Sequence, residues 1–182
     1  MIFINKKFWP KHLCENLTIP ETDLFHNLYV TAKRFPKKIA INFYDNKISY
    51  LEVFSQVNKI SGFLQKKLKL KKGDRVLLDL QNSPQFVISY YAILSTGCVV
   101  VPVSPMSVTN ELIHYIEDSG ANLAFLGQEN FKEFKPLIPK MLKFLIVSNY
   151  KFYIKKKNFK IPEEILAKKI NFKTKNVFTW DN

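Results

Sequence analysis

Few glycines stand in this chain, and none of them stand together. The five are Gly62, Gly73, Gly97, Gly120 and Gly127. A dinucleotide fingerprint, a phosphate-binding P-loop and a nucleophile elbow each need two or more glycines at fixed short spacing, so all three are excluded. Cysteine is equally sparse. Cys14 and Cys98 are far apart, form no CxxC pair and make no even-numbered framework of the secreted kind. His12, His26 and His114 have no ligand-like spacing with one another, and the nearby His12 and Cys14 do not suffice for a zinc site. No metal site is expected. Arginine is limited to Arg34 and Arg75. Charge is missing altogether from Leu80 to Asn110.

What is present is an ordinary globular composition, 47% hydrophobic and 24% charged over 182 residues, enough for one domain with a core. The formal net charge is +13, from 28 basic and 15 acidic residues. Nearly all of the basic residues are lysine, which reads as drift toward A-rich codons, since a phosphate reader selects arginine for its bidentate geometry. The charge is uneven. Residues 1–72 sum to +9, residues 73–131 to −5 and residues 132–182 to +9. A basic rim of this kind favours anionic membranes or polyanions without specificity. The polar N-terminus does not read as a signal peptide. A cytoplasmic protein with reduced thiols is expected, with peripheral contact at a membrane as the variant.

Periodicity along the chain predicts an α/β protein. After a polar lead over residues 1–21, Thr22 or Asp23 caps a helix with Phe25, Leu28, Ala32 and Phe35 on one face, stopped by Pro36. A hairpin with an Asp45-Asn46 turn follows. Ser49 and Glu52 form a capping box, with Ile48 and Val53 as its hydrophobic staple. The helix they open carries Val53, Val57, Ile60, Leu64 and Leu68, with Gly62 inside it marking an expected close backbone contact. Then RVLLDL, CVVVPV, NLAFLG and KFLIVS alternate with helices. The first helix is capped by Asn82 or Ser83 with Pro84 at its start, presents Phe86, Tyr90, Ile93 and Leu94, and ends at Gly97. Thr109 caps the next, which stops at Gly120. The third, FKEFKPLIPKM, is broken by Pro136 and Pro139. This order predicts a parallel sheet with helices on both faces, preceded by a small hairpin. The α/β unit is placed at residues 22–150, and residues 151–182 read as a basic, partly helical tail containing PEEILAKKI. The uncharged stretch around LSTGCVVVPVSP is long enough to span a bilayer, but Pro84, Gly97, Pro102 and Pro105 cut it. It reads as a capped helix followed by a buried strand over Cys98–Val103.

No constellation with chemistry emerges. Asp74 beside Gly73 is a turn residue and Asp79 flanks a strand. Glu117 and Asp118 lie on a solvated helix end, and Tyr90 and Tyr91 read as packing residues. Ser95 and Thr96 have no histidine or lysine nearby to activate them. The catalytic, cofactor-binding and metal sets are therefore all read as none.

Two motifs nevertheless carry a resemblance. Ser49-Tyr50-Leu51-Glu52, and the glycine with V-P-V from Ser95 to Val103, combine with KGDRV and NSPQF at the spacing of the adenylate-forming (AMP-binding) superfamily. The chain resembles the N-terminal part of those enzymes over about residues 7–150. FWPKHLCENLTIPETDLFHNLYVTAKRFPKKIAI resembles the long-chain fatty acyl-CoA synthetase branch in particular. The resemblance implies a reaction in which fatty acid and ATP give an acyl-adenylate and pyrophosphate, and CoA then takes the acyl group. ATP, Mg and CoA are expected only for a complete enzyme, because the phosphate loop, adenine motif, ribose aspartate and mobile-domain lysine that the family uses have no counterpart before FTWDN. The expectation is an N-terminal fragment, inactive alone or needing a complementary chain that carries the remainder. The alternatives are a non-catalytic module that binds acyl chains or a membrane, and, suggested by charge alone, a nucleic-acid binder.

Overall fold

A computed structural model describes residues 8–14, 19–155 and 160–181. Parts of the polar lead read over 1–21 and of the basic tail read over 151–182 therefore lie outside the described residues. The first helix, α1 (Leu24–Arg34), is capped by Asp23, whose carboxylate accepts from the His26 N–H at 2.7 Å. Of its predicted face Leu28 and Ala32 are buried, while Phe35 at the end stays 43% exposed. Strands β1 (Ile39–Phe43) and β2 (Asn46–Ser49) pair antiparallel. The turn falls on Tyr44-Asp45, one residue earlier than expected. Both have positive φ, as a type I′ hairpin turn requires, and this puts Asn46 inside the fold as a buried strand residue.

Helix α2 (Tyr50–Lys66) starts at the predicted capping box. The Ser49 hydroxyl accepts from the Glu52 N–H at 3.3 Å and the Glu52 carboxylate accepts from the Ser49 N–H at 2.7 Å. Ile48 and Val53 are both buried, as a staple demands. Gly62 is a correction: a Cβ built there meets nothing within 4 Å, so no close backbone contact explains it.

The sheet has the order β4-β3-β5-β6-β7, parallel throughout, from β3 (Arg75–Asp79), β4 (Val99–Pro102), β5 (Leu123–Gly127), β6 (Phe144–Ser148) and β7 (Val177–Thr179). Between them run α3 (Pro84–Ser95), α4 (Thr109–Ser119) and the short α5 (Phe131–Phe134); α6 (Glu163–Leu166) precedes β7. Residues alternate between faces as a pleat dictates. Val76, Leu78, Phe125 and Ile146 join a core with Val57, Leu64, Ile88 and Ala92 on the α2/α3 side. Leu77, Ala124, Leu126 and Val147 join Leu112, Ile116 and Phe134 on the α4/α5 side.

Four further details differ from expectation. Strand β4 is an edge, and Val99 is 48% exposed, so this run is not buried on both sides; Pro102, with no N–H to donate, suits such an edge. On α3 the buried residues include Gln85, Ile88, Ser89, Ala92 and Ile93, while Phe86 and Tyr90 are only partly buried. On α4 the cap position is Val108, whose N–H donates to Glu111, and the Thr109 hydroxyl donates instead to Glu133 across to α5. The segment read as a tail also supplies β7, the fifth strand of the sheet. Among the described residues no helix is long and apolar enough to cross a membrane.

Candidate functional site

The chain leaves β3, runs through α3 to β4 on one side, then crosses through α4 to β5 on the other. The strand order reverses there, and in open α/β sheets the crevice at such a point, outside the carboxyl ends of the strands, is where ligands bind. Its walls here are the loop Leu80–Ser83 after β3 and the turn Gln128–Asn130 after β5. Asp79 and Leu126 are register partners at the mouth.

Polar side chains of the protein itself lie at the base of this crevice, and a cavity of about 380 Å³ lined by Gln81, Asn82, Glu164 and Ile165 opens at its β3 wall. Asp79 is fully buried, at 0% exposure. Its Oδ2 accepts from the Asn130 side-chain amide at 2.9 Å, and the same amide reaches the Ser107 carbonyl at 3.4 Å. Asp79 Oδ1 has no hydrogen-bond partner. Burial is the main force on this carboxyl, partly offset by the Asn130 bond and reinforced by Glu129, and it is pushed up to about 7. Glu129 is itself raised, chiefly by burial. Its carboxylate lies where a Cβ on Gly127 would sit, a clash that this flexible, exposed side chain can relieve by moving aside. Tyr150 is buried, and its hydroxyl accepts from the Gln81 N–H at 2.9 Å; burial, then Glu129, pushes its ionisation up. Gln85 donates to the Asn149 carbonyl at 2.9 Å, tying α3 to the segment after β6.

This arrangement has the chemistry of one buried acid, Asp79, beside an exposed one, Glu129, and lacks that of an acid–base pair poised on a substrate. Among the described residues no histidine, lysine or thiol shares its hydrogen bonds. It does not fit Mg: the one carboxylate oxygen without a partner is enclosed, whereas Mg keeps several waters and an open octahedron. Among the described residues no group of three or more His, Cys, Asp or Glu side chains converges on a metal position.

The other residues weighed from sequence are scattered. Asp74 accepts from the Lys71 N–H at 2.8 Å in its turn. Glu117 and Asp118 are exposed. Tyr90 and Tyr91 pack against the α2/α3 core. Ser95 contacts the Ser61 hydroxyl across α2 and α3, and Thr96 donates to the Ile93 carbonyl at 2.6 Å. Cys98 is buried, with its thiol raised by burial, while Cys14 is exposed. Sequence reasoning passed over the Asp79–Asn130 pair, which are 51 residues apart; the only hint was an acid ending an apolar strand. A cleft of about 290 Å³ opens beside the edge strand β7, lined by Lys59, Ile60, Phe63, Phe178 and Trp180. It adjoins one of about 340 Å³ lined by Lys151, Phe152, Lys168 and Lys169.

A parallel α/β sheet with this strand order and a hairpin before it defines the N-terminal portion of the adenylate-forming fold. The family model of the AMP-binding enzymes matches residues 28–170, and the chain belongs to that family. A long-chain-fatty-acid–CoA ligase of Bacillus subtilis (strain 168) is 38% identical over 111 residues, which is 61% of this chain and 20% of that protein. A ligase with the same description from Yersinia pestis is 31% identical over 109 residues, 60% of this chain and 19% of its own length. Among solved structures, a long-chain-fatty-acid–CoA ligase from Archaeoglobus fulgidus superposes with a TM-score of 0.66 at 26% identity, over 72% of this chain and 28% of that one. Coronafacic acid ligase from Pectobacterium brasiliense gives a TM-score of 0.69 at 25% identity, over 86% and 28%. The chain thus spans about a fifth of the length of these curated relatives.

Proposed function

We propose that this chain is the N-terminal scaffold of a long-chain fatty acid–CoA ligase, which activates a fatty acid with ATP and passes the acyl group to CoA. It works there with a complementary polypeptide and is inactive alone. The observation that carries the reading is the 38% identity to the Bacillus subtilis ligase over most of the α/β unit. The proposed inactivity rests on the chain's own residues. Its five glycines form no phosphate loop, and the buried Asp79 at the carboxyl end of β3 is bonded to Asn130 and not free to meet a ligand. Nucleotide, magnesium and CoA are accordingly assigned to the complementary part. The test is to purify the 182-residue chain with the region of the Bacillus subtilis ligase that follows the match. Stable association with fatty-acid-dependent thioester formation supports the proposal; neither part binding the other refutes it.

A second reading is a non-catalytic module that binds acyl chains or the surface of an anionic membrane. The cleft of Ile60, Phe63, Phe178 and Trp180, with Lys151, Lys168 and Lys169 beside it, favours this one. Saturable fatty-acid or vesicle binding by a stable monomer, with no association to the complementary region, selects it over the first.

A further inference from the structure

The turn Gln128–Asn130 sits between the carboxyl end of the sheet and the C-terminal segment, and its Gln128 side chain holds that segment. Gln128 is bonded twice to that segment, donating to the Lys168 carbonyl at 2.9 Å and accepting from the Ile170 N–H at 3.1 Å. Glu129 folds back over Gly127, towards Tyr150. Asn130 is anchored on Asp79 and on the Ser107 carbonyl. Asn149 adds a parallel tie, donating to the Ala167 carbonyl at 2.9 Å. Residues 167–170 are thus attached to the carboxyl ends of β5 and β6 largely by side-chain amides. The root of the attachment is a carboxyl group with one oxygen unpartnered and no exposure.

The ionisable groups around that carboxyl are acidic on every side. Glu129 faces it from the turn and Tyr150 from the segment after β6, and Glu164 of α6 adds its charge to Glu129. Glu133 of α5 is engaged with Thr109. The loop carrying Ser107 contributes a carbonyl, and α3 the neutral Gln85. Among the described residues no cation compensates it, so an ionised Asp79 is tolerated only if water reaches it, and water reaches it only if the turn moves.

We propose that Asp79, Asn130 and the turn Gln128–Asn130 form a proton-operated latch: a protonated Asp79 keeps the turn closed and residues 167–170 docked, and its ionisation opens the crevice and releases that segment. The raised proton affinity of the buried carboxyl places this change below neutral pH, within reach of physiological shifts.

Linkage fixes the signature. The closed state holds a proton that the open state, with Asp79 in water, has lost. Opening is therefore favoured about tenfold per pH unit between the ordinary carboxylate range and about 7, and levels off above it. Amide hydrogen exchange on the full chain, corrected for the intrinsic pH dependence of exchange, reads this directly. The protection factor of the Ile170 amide is expected to fall about tenfold per pH unit from about pH 5 to about pH 7 in the native chain, to lose most of that slope in Asp79→Asn, and to keep most of it in Glu129→Gln. A flat profile in the native chain, or a slope that survives Asp79→Asn and disappears in Glu129→Gln, overturns the proposal. Should Asp79→Asn not fold, the carbon chemical shift of the Asp79 carboxyl decides on its own: a titration midpoint well above the usual carboxylate range supports the latch, and a midpoint near 4 overturns it.

Discussion

Replacing Asp79 by asparagine should make the protein more stable near neutral pH. An amide keeps an acceptor for the Asn130 side chain, at 2.9 Å in the native structure, and puts an N–H where the protonated acid holds its O–H. It therefore resembles the neutral acid and never ionises. In the native chain the carboxyl rises from 3.8 to about 7. One pH unit of altered proton affinity corresponds to about 1.4 kcal/mol, so complete ionisation in the closed fold costs on the order of 4 kcal/mol. The sign follows from proton binding. Between these two values the folded chain holds a proton that the unfolded chain has released, so stability falls as pH rises through that window and levels off above it. Opening of the turn caps the loss, because a solvated Asp79 no longer bears the full cost. Glu52, held low by the Ser49 hydroxyl, loses its contribution only as pH falls through its lowered range, so measurements above about pH 5 avoid it. Glu129, raised by burial, tilts both proteins the same way, which makes the difference between them the quantity of interest. Urea unfolding followed by circular dichroism should show Asp79→Asn gaining steadily on the native chain from pH 5 to about 7, by roughly 3 kcal/mol at most over that span. A difference that is constant with pH, or that narrows, refutes the buried-acid argument.

Two smaller substitutions test the local reading. Gly62→Ala fills open space in the middle of α2, so it should stabilise the chain by up to about 1 kcal/mol, seen as a higher urea midpoint with an unchanged slope. Gly97→Ala should do the reverse, by about 1–2 kcal/mol. Its backbone φ is +74°, and the new Cβ would come within 3.0 Å of the Lys72 side chain, which can move aside while the backbone strain cannot be relieved.

Much of the fold was legible because it rests on local signals. The Ser49–Glu52 box, the Ser83–Pro84 start of α3 and the stops at Gly97 and Gly120 each depend on residues within a turn of one another. The misplacements share a different cause. Asp45-Asn46 looked like the hairpin turn, but burial of Asn46 and Ile48 on the strand fixes the register one residue earlier. Strand β4 has the apolar run of a central strand, yet strand order puts it at the edge, and order is not written in any one strand. With three residues, β7 is too short for a periodicity signal and forms because β6 offers it a ladder. On α3, Gln85 and Ser89 are buried although polar, because the helix is apolar nearly all round and packing decides which side turns inward. The candidate site was the least legible part. Asp79 looked like any acid at a strand end, and only the crossover through α4 brings Asn130 and Ser107 to it.

The central claim is that this chain supplies scaffold and not chemistry to a fatty acid–CoA ligase. Fatty-acid-dependent exchange of pyrophosphate into ATP tests it most directly, because that exchange reports the adenylation step alone. The purified 182-residue chain should show none above background with any long-chain fatty acid. Exchange by the isolated chain that depends on the fatty acid, and persists through repurification, would contradict the account.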